Sequence, residues 1–162
     1  MKKNNAVGNL GEIVNVQSST RIFEKEYTVK GVPFYRSKEI IEKHKGEKIS
    51  NPLYISEDRY RSIKSQGTVP KEGDILLTSV GTIGIPYIVK RFEKFYFKDG
   101  NLTWFNTFSN RLYNKYLYYW FVSKIGQEAI NSVLIGTTQK AITIQALKNL
   151  KLTLPPLSEQ KR

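Results

Sequence analysis

A chain of 162 residues suits one hydrophobic core, because single cores serve about 100–200 residues. Its 40% hydrophobic and 25% charged content argues against disorder, and a formal charge of +12, from 26 basic and 14 acidic residues, points to a polyanionic partner. The lack of cysteine excludes disulfides, thiolate nucleophiles and Cys-ligated zinc and suits a reducing cytoplasm, the expected location; no apolar run approaches the roughly 18 residues that span a bilayer.

In chain order, residues 1–9 read as a loose polar leader, too polar for a secretory signal. Leu10–Val16 alternates apolar and polar residues and predicts a strand with one irregular step. Val32–Arg36 reads as a short strand after a Gly-Val-Pro turn, and Asn51-Pro52 as a turn entering Leu53–Ile55. Ser56-Glu57-Asp58 opens a helix, with serine capping free N–H groups and acids at the positive end of the dipole; Tyr60 and Ile63 face inward and Gly67 stops it. Gly73–Ser79 predicts a strand, Gly81–Gly84 a turn and Ile85–Lys90 the returning strand. Phe95–Phe97 and Leu102–Phe105 read as further strands joined by a turn at Lys98–Asn101. A four-residue spacing of Leu117, Phe121, Ile125, Ala129 and Val133 predicts one helix over Asn114–Val133, with that stripe in the core. Thr143 caps a short helix through Leu150, Leu150–Leu154 forms a last strand, and Ser158-Glu159-Gln160 begins another helix after Pro155-Pro156.

Positive charge is concentrated at the end. From Arg111 to Arg162 there are eight basic and two acidic residues, whereas Glu72–Asn110 balances four against four. Signals for catalysis are sparse. His44, in the polar run Glu42–Glu47, is the single histidine and reads as a solvated loop residue, too isolated for a His-based metal site. No nucleophile elbow, phosphate loop or dinucleotide fingerprint occurs. Asn51-Pro52-Leu53-Tyr54 only partly imitates the base-holding loop of adenine methyltransferases, and no cofactor loop accompanies it. Scattered carboxylates leave a Mg²⁺-dependent hydrolase as a weaker alternative.

Two segments are distinctive: Gly73-Asp74-Ile75-Leu76-Leu77-Thr78-Ser79-Val80-Gly81-Thr82-Ile83-Gly84, and Gly136-Thr137-Thr138-Gln139-Lys140-Ala141-Ile142-Thr143 running on to Leu154-Pro155-Pro156-Leu157-Ser158-Glu159-Gln160. With Leu10-Gly11-Glu12-Ile13 and Pro33–Ile40, they make the chain resemble, over about residues 10–162, a target recognition domain of type I restriction–modification specificity subunits. The family glycine near Gln17–Thr20 is missing.

The resemblance implies an α+β single domain, a mixed curved β-sheet scaffold with flanking helices. It divides the chain into a flexible segment 1–9, a recognition domain 10–157 and the start of a spacer helix at 158–162. It implies a non-catalytic reader of one half-site of a bipartite duplex DNA target. Expected partners are methyltransferase subunits, which would use S-adenosylmethionine, a restriction subunit, and a second recognition domain in a longer chain or a dimer; the domain itself needs no cofactor or metal. Since full subunits carry two such domains, the chain is expected to be an isolated domain or a half-subunit.

Residue chemistry nominates the contacts. Thr78, Ser79 and Thr82 are short donors suited to phosphates or base edges, or simply to stabilising a hairpin turn. Thr137, Thr138, Gln139 and Lys140 combine a candidate adenine reader with a candidate phosphate contact, or form a polar connection before Thr143. Arg36, with Ser37 and Lys38, can read guanine, and Arg59, Arg61 and Lys64 hold phosphates or face water. A rival reading takes Gly81-Thr82-Ile83-Gly84 as the Gly-x-x-Gly loop of a KH-type module for RNA or single strands, although that loop joins two helices.

Overall fold

The computed structural model describes residues 5–162. Its strands are β1 (Ala6–Asn9), β2 (Asn15–Gln17), β3 (Tyr27–Thr28), β4 (Val32–Tyr35), β5 (Leu53–Ile55), β6 (Ile75–Thr78), β7 (Pro86–Ile88), β8 (Tyr96–Phe97), β9 (Leu102–Asn106) and β10 (Lys151–Leu154). The helices are α1 (Leu10–Ile13), α2 (Ser37–His44), α3 (Glu57–Gln66), α4 (Asn114–Val122), α5 (Lys124–Asn131), α6 (Ile144–Asn149) and α7 (Leu157–Gln160).

Two four-stranded sheets carry the fold, ordered β2-β9-β6-β7 and β3-β5-β4-β8, beside a two-stranded ribbon, β1-β10. The first sheet is antiparallel throughout; the second contains one parallel pair, β4 with β8. The sheets alternate with three apolar clusters. In β6, Ile75 and Leu77 join Phe105, Leu117 and Phe121 on the helical side, whereas Leu76 points the other way to Leu102, Trp104, Phe95 and Phe97. The alternation of successive side chains thus buries one strand on both faces. In the second sheet Phe97 shares that middle layer, while Phe34 and Tyr96 turn to Tyr60 and Ile63 of α3.

Local signals explain most elements. The Ser56 hydroxyl accepts from Arg59 N at 3.0 Å and starts α3; the Thr143 hydroxyl accepts from Ala146 N at 3.0 Å and starts α6. Leu150, Leu152 and Leu154 are buried, with Lys151 and Thr153 exposed between them.

Four expectations are corrected. Leu10–Ile13 is a helical turn, with Leu10 and Ile13 buried on one side, and only Asn15–Gln17 is strand. Residues 6–9, expected to be loose, pair with β10 from Ala6↔Leu154 to Asn9↔Lys151; residues 1–4 of that segment lie outside the described residues. His44 ends α2 instead of lying in a loop, and its Nδ1 stands 2.7 Å from the Pro86 carbonyl oxygen, a contact that docks the helix on β7. Finally, the helix over 114–133 is broken. Ser123 is extended, and its hydroxyl accepts from Gly126 N at 3.1 Å, opening α5 as a new helix. Gly126 packs so closely on the end of α4 that a Cβ there would lie 1.9 Å from the Trp120 carbonyl oxygen. The break shifts the phase of the stripe: Ile130 is buried and Ile125 is 71% exposed.

Ile125→Lys should therefore change stability by no more than about 0.5 kcal/mol, as at other exposed sites. Ile130→Ala should cost roughly 2–4 kcal/mol as a core truncation. Urea unfolding of the two variants tests this, and a large loss for Ile125→Lys would restore the continuous helix.

Candidate nucleic-acid interface

The two distinctive segments, separated in sequence, meet in space. Gly81 N donates to Lys140 O at 3.0 Å, and Ile142 N donates to Ser79 O at 3.0 Å, so that Val80 and Ala141 form an antiparallel bridge. Ala141 bridges in turn to Ile135, closing the turn that carries Thr137, Thr138, Gln139 and Lys140 outward, all exposed. Gly136 has φ +96°, and a Cβ there would meet the Gln139 carbonyl oxygen at 2.4 Å, so this tight return needs glycine. Gly84, at φ +85°, ends the other turn; its carbonyl accepts from Gln127 Nε2 at 2.8 Å, which ties the loop to α5.

Two more segments reach the same edge. The Asn101 carbonyl accepts from Ser79 N at 2.9 Å and from the Ser37 hydroxyl at 3.3 Å. The turn 98–101 and the start of α2 therefore flank the joined loops. Lys38, Thr82 and Lys140 are exposed along this edge. It is built from four separate chain segments on one end of the scaffold.

Within it, the nominated residues divide. Thr78 and Ser79 are buried, at 0% and 2% exposure. The Thr78 hydroxyl accepts from Ile85 N at 2.9 Å, and the Ser79 hydroxyl donates to Leu77 O at 3.1 Å and lies 2.7 Å from that of Thr103. These hydroxyls hold the turn, which is the structural alternative for them, and they do not reach outward. The turn runs from β6 to β7, so it lacks the helix pair of a KH loop.

Arg36 is likewise engaged. Its Nη2 donates to Glu39 Oε1 at 2.7 Å, its Nε to Oε2 at 3.2 Å, and its backbone N to Oε2 at 2.7 Å. Glu39 is 0% exposed. Burial alone would raise its pKa, but the side-chain and backbone hydrogen bonds from Arg36 prevail and hold it below the ordinary glutamate value. Reading guanine with this fork would strip a buried carboxylate of its partner.

The α3 cations stand elsewhere. Arg59 Nε pairs with Glu26 Oε1 at 2.8 Å, and Arg61 pairs with Asp58 one turn earlier; Lys64 is exposed. Their helix packs on the second sheet, and among the described residues its further ion pair, Glu57 with Lys94, also leads away from the loop edge.

Two working residues carry no mark of their role in the sequence. Asp74, in the Gly-Asp-Ile-Leu string, accepts from Lys71 N and from Trp104 Nε1, both at 2.9 Å, and burial raises its pKa despite these bonds. Gln160, at the end of the Pro-Pro-Leu-Ser-Glu-Gln string, is buried: its Oε1 accepts from Tyr113 N at 2.8 Å, and its Nε2 donates to Arg111 O at 2.8 Å and Pro155 O at 2.9 Å. It holds α7 against the Arg111–Tyr113 segment that leads into α4. Periodicity finds neither, because both roles depend on partners far away in sequence.

An α+β scaffold that gathers four loop segments on one polar, lysine-bearing edge defines a binding module. The chain belongs to the family described as the type I restriction modification DNA specificity domain, which matches residues 2–162. It is 33% identical over 159 residues to a putative type I restriction enzyme specificity subunit of Haemophilus influenzae, covering 98% of this chain and 38% of that protein. The fold is shared with a chain from a type I R-M system structure concerned with complex assembly and conformational transition (TM-score 0.71, 21% identity, 100% of this chain and 37% of that one). It is shared also with the HsdS subunit from Thermoanaerobacter tengcongensis (TM-score 0.69, 20% identity, 100% and 36%). The chain thus spans well under half the length of these relatives. Its family is that of the specificity component and not of a catalytic subunit.

The Arg36–Glu39 pair makes a prediction with a sign. A carboxyl whose folded pKa is depressed contributes stability above its unfolded pKa and loses it as pH falls through the folded one. Arg36→Ala should cost about 3 kcal/mol at neutral pH, because the carboxylate stays buried without its cation. It should also flatten the local pH dependence: the Arg36 side-chain bond and charge that lower the Glu39 pKa are lost while burial and the backbone hydrogen bonds remain, so the folded pKa moves up and less stability is lost as the solution is acidified. Urea midpoints across the acidic and neutral range test this, and a variant curve parallel to the parent's would return Arg36 to the candidate readers.

Proposed function

We propose that this domain reads a short segment of duplex DNA with the loop edge formed by Gly81–Gly84 and Gly136–Lys140, as one half-site of a bipartite target. The observation that carries the reading is the joining of these two distant segments by backbone hydrogen bonds into one exposed edge, in a member of a DNA specificity family. Thr82, Thr137, Thr138 and Gln139 are the candidates for base edges, since a glutamine amide can pair bidentately with adenine N6 and N7. Lys140 and Lys38 are the candidates for phosphates. Ser37 supports the edge through Asn101, and Arg59, Arg61 and Lys64 remain candidates for backbone contact at a distance from it; exposed ion pairs such as Arg61–Asp58 exchange for phosphate at little cost. The reaction chemistry belongs in this reading to partners: methyltransferase subunits that use S-adenosylmethionine and a restriction subunit, with a second recognition domain supplying the other half-site. The cytoplasm, where such a system meets its DNA, is the location this reading requires.

The test is a domain graft. Residues 1–162 replace one recognition domain of a working specificity subunit, and methylated adenines are mapped across a host genome. A motif with one half changed and the other kept is the expected result; the old motif intact would overturn the reading. In the same graft, Gln139→Ala should relax the new half-site more than it lowers total methylation. Lys140→Ala should weaken duplex binding about equally for all sequences and make the salt slope shallower by roughly one unit, as the loss of one phosphate contact does.

A further inference from the structure

We propose that the domain holds DNA backbone at a second place, a basic trough at the far ends of α2 and β7; this inference rests on the duplex-reading function. Two cavities of about 300 and 330 Å³ adjoin there and share Ile88 and Lys90 in their walls. Lys43 and Lys45, at the end of α2, line the first, and Arg91 and Lys115 the second. Lys45, Lys90, Arg91 and Lys115 are all exposed. Lys43 is already committed, with Nζ 2.7 Å from Glu93 Oε1 and 4.9 Å from the centre of the Tyr87 ring, and so forms a wall of the trough. Glu72 is the acid in the second cavity. Four exposed cations against that one carboxylate leave an anion-attracting surface.

The turn beyond β7 is closed by hydrogen bonds between Lys90 and Glu93, with Glu93 N donating to Lys90 O at 3.3 Å and Lys90 N to Glu93 Oε2 at 2.8 Å. Phe92 sits at φ +63° while 89% exposed, and the Arg91 guanidinium lies 4.7 Å over its ring. A bulky residue in the left-handed region is an outlier. The same turn places Arg91 in the wall of the second cavity.

Both α2 and β7 start at the loop edge and end at the trough. Eight helical residues in α2 extend about 12 Å at roughly 1.5 Å each, a span comparable to the major groove, about 12 Å wide. Lys38 stands at one end of α2 and Lys45 at the other, both exposed. Loops at the edge can therefore face the groove while the trough neutralises phosphates beside it.

Salt dependence separates this inference from the reading it rests on. Binding of a non-specific 20-base-pair duplex is followed by fluorescence anisotropy over a salt series for the parent, for Lys140→Ala, and for the triple variant Lys90→Ala, Arg91→Ala, Lys115→Ala. A single reversal, Arg91→Glu, is added, and urea midpoints confirm that all four proteins stay folded. Each phosphate contact contributes roughly 0.9 to the slope, so the triple variant should be shallower by about 2–3 units and bind at least about tenfold more weakly at low salt. A triple variant with the parent's slope overturns the trough and leaves the loop edge standing if Lys140→Ala has lost its share. A parent that binds no duplex overturns both. Inorganic phosphate at constant ionic strength is the last arm: duplex displaced by it from the parent but not from the triple variant would assign the trough to a free anion instead.

Discussion

Everything in this domain hangs on the pairing of β6 with β9. The two strands lie in the middle of the first sheet, in register from Ile75↔Phe105 to Thr78↔Leu102, and every residue of both is buried. A strand buried on both faces can slip by one residue only if every side chain changes sides. Here that would drive Ile75 and Leu77 out of the helical layer and Leu76 and Trp104 out of the middle layer. Polar bonds lock the same register: Trp104 Nε1 donates to Asp74 at one end, and the hydroxyls of Ser79 and Thr103 meet at 2.7 Å at the other. Once the register is fixed, the turn after Thr78 has one place to go, and Ser79 stands ready to accept the returning backbone at Ile142.

The distinctive residues therefore fall into two kinds that look alike in one dimension. Asp74, Thr78, Ser79, Arg36 and Gln160 point inward or are engaged, and their polarity satisfies neighbouring backbone or a buried partner. Leaving any of these groups unpaired would cost on the order of 1–3 kcal/mol, which is reason enough for their presence. Thr82 and Thr137–Lys140 are exposed beside glycines that give the backbone its turns. Both kinds are hydroxyl, amide or charged residues close to glycine, and only the register tells which side of the sheet end a side chain takes.

Much of the architecture was legible in the chain. Strands with clear alternation or turn punctuation, such as β6, β7, β9 and β10, lie where the pattern put them, as do the capped helices α3 and α6. The failures share a cause. The helix over 114–133 has an unbroken four-residue repeat, but the close approach of Gly126 to the end of α4 is a tertiary fact with no periodic trace. β1 is a strand of only four residues, Ala6-Val7-Gly8-Asn9, that exists because β10 is there to pair with it. Of the site, the two loop segments were visible as strings. Their union was not, because it rests on backbone hydrogen bonds between residues near 80 and near 141, and neither those bonds nor the Arg36–Glu39 fork leaves a mark on local composition.

This division bears on how such a domain can change what it reads. The side chains of Thr137, Thr138 and Gln139 are exposed, and the shape of their turn is set by Gly136 and by the two bridges through Ala141. Substituting an exposed side chain away from caps and buried bonds typically changes stability by less than about 0.5 kcal/mol. A bidentate contact to a base is worth about 1–3 kcal/mol of discrimination. On the reading proposed above, in which this edge faces a DNA groove, the chemistry presented at this turn can therefore be altered by more than the fold would notice. At Arg36 or Asp74 the balance is reversed, because the fold loses its buried bonds before any base could gain a contact. In the proposed reading, specificity is open to revision at positions whose backbone is fixed by glycine and bridging and whose side chains hold nothing up, and on this edge residues 137–139 are exposed on such a backbone.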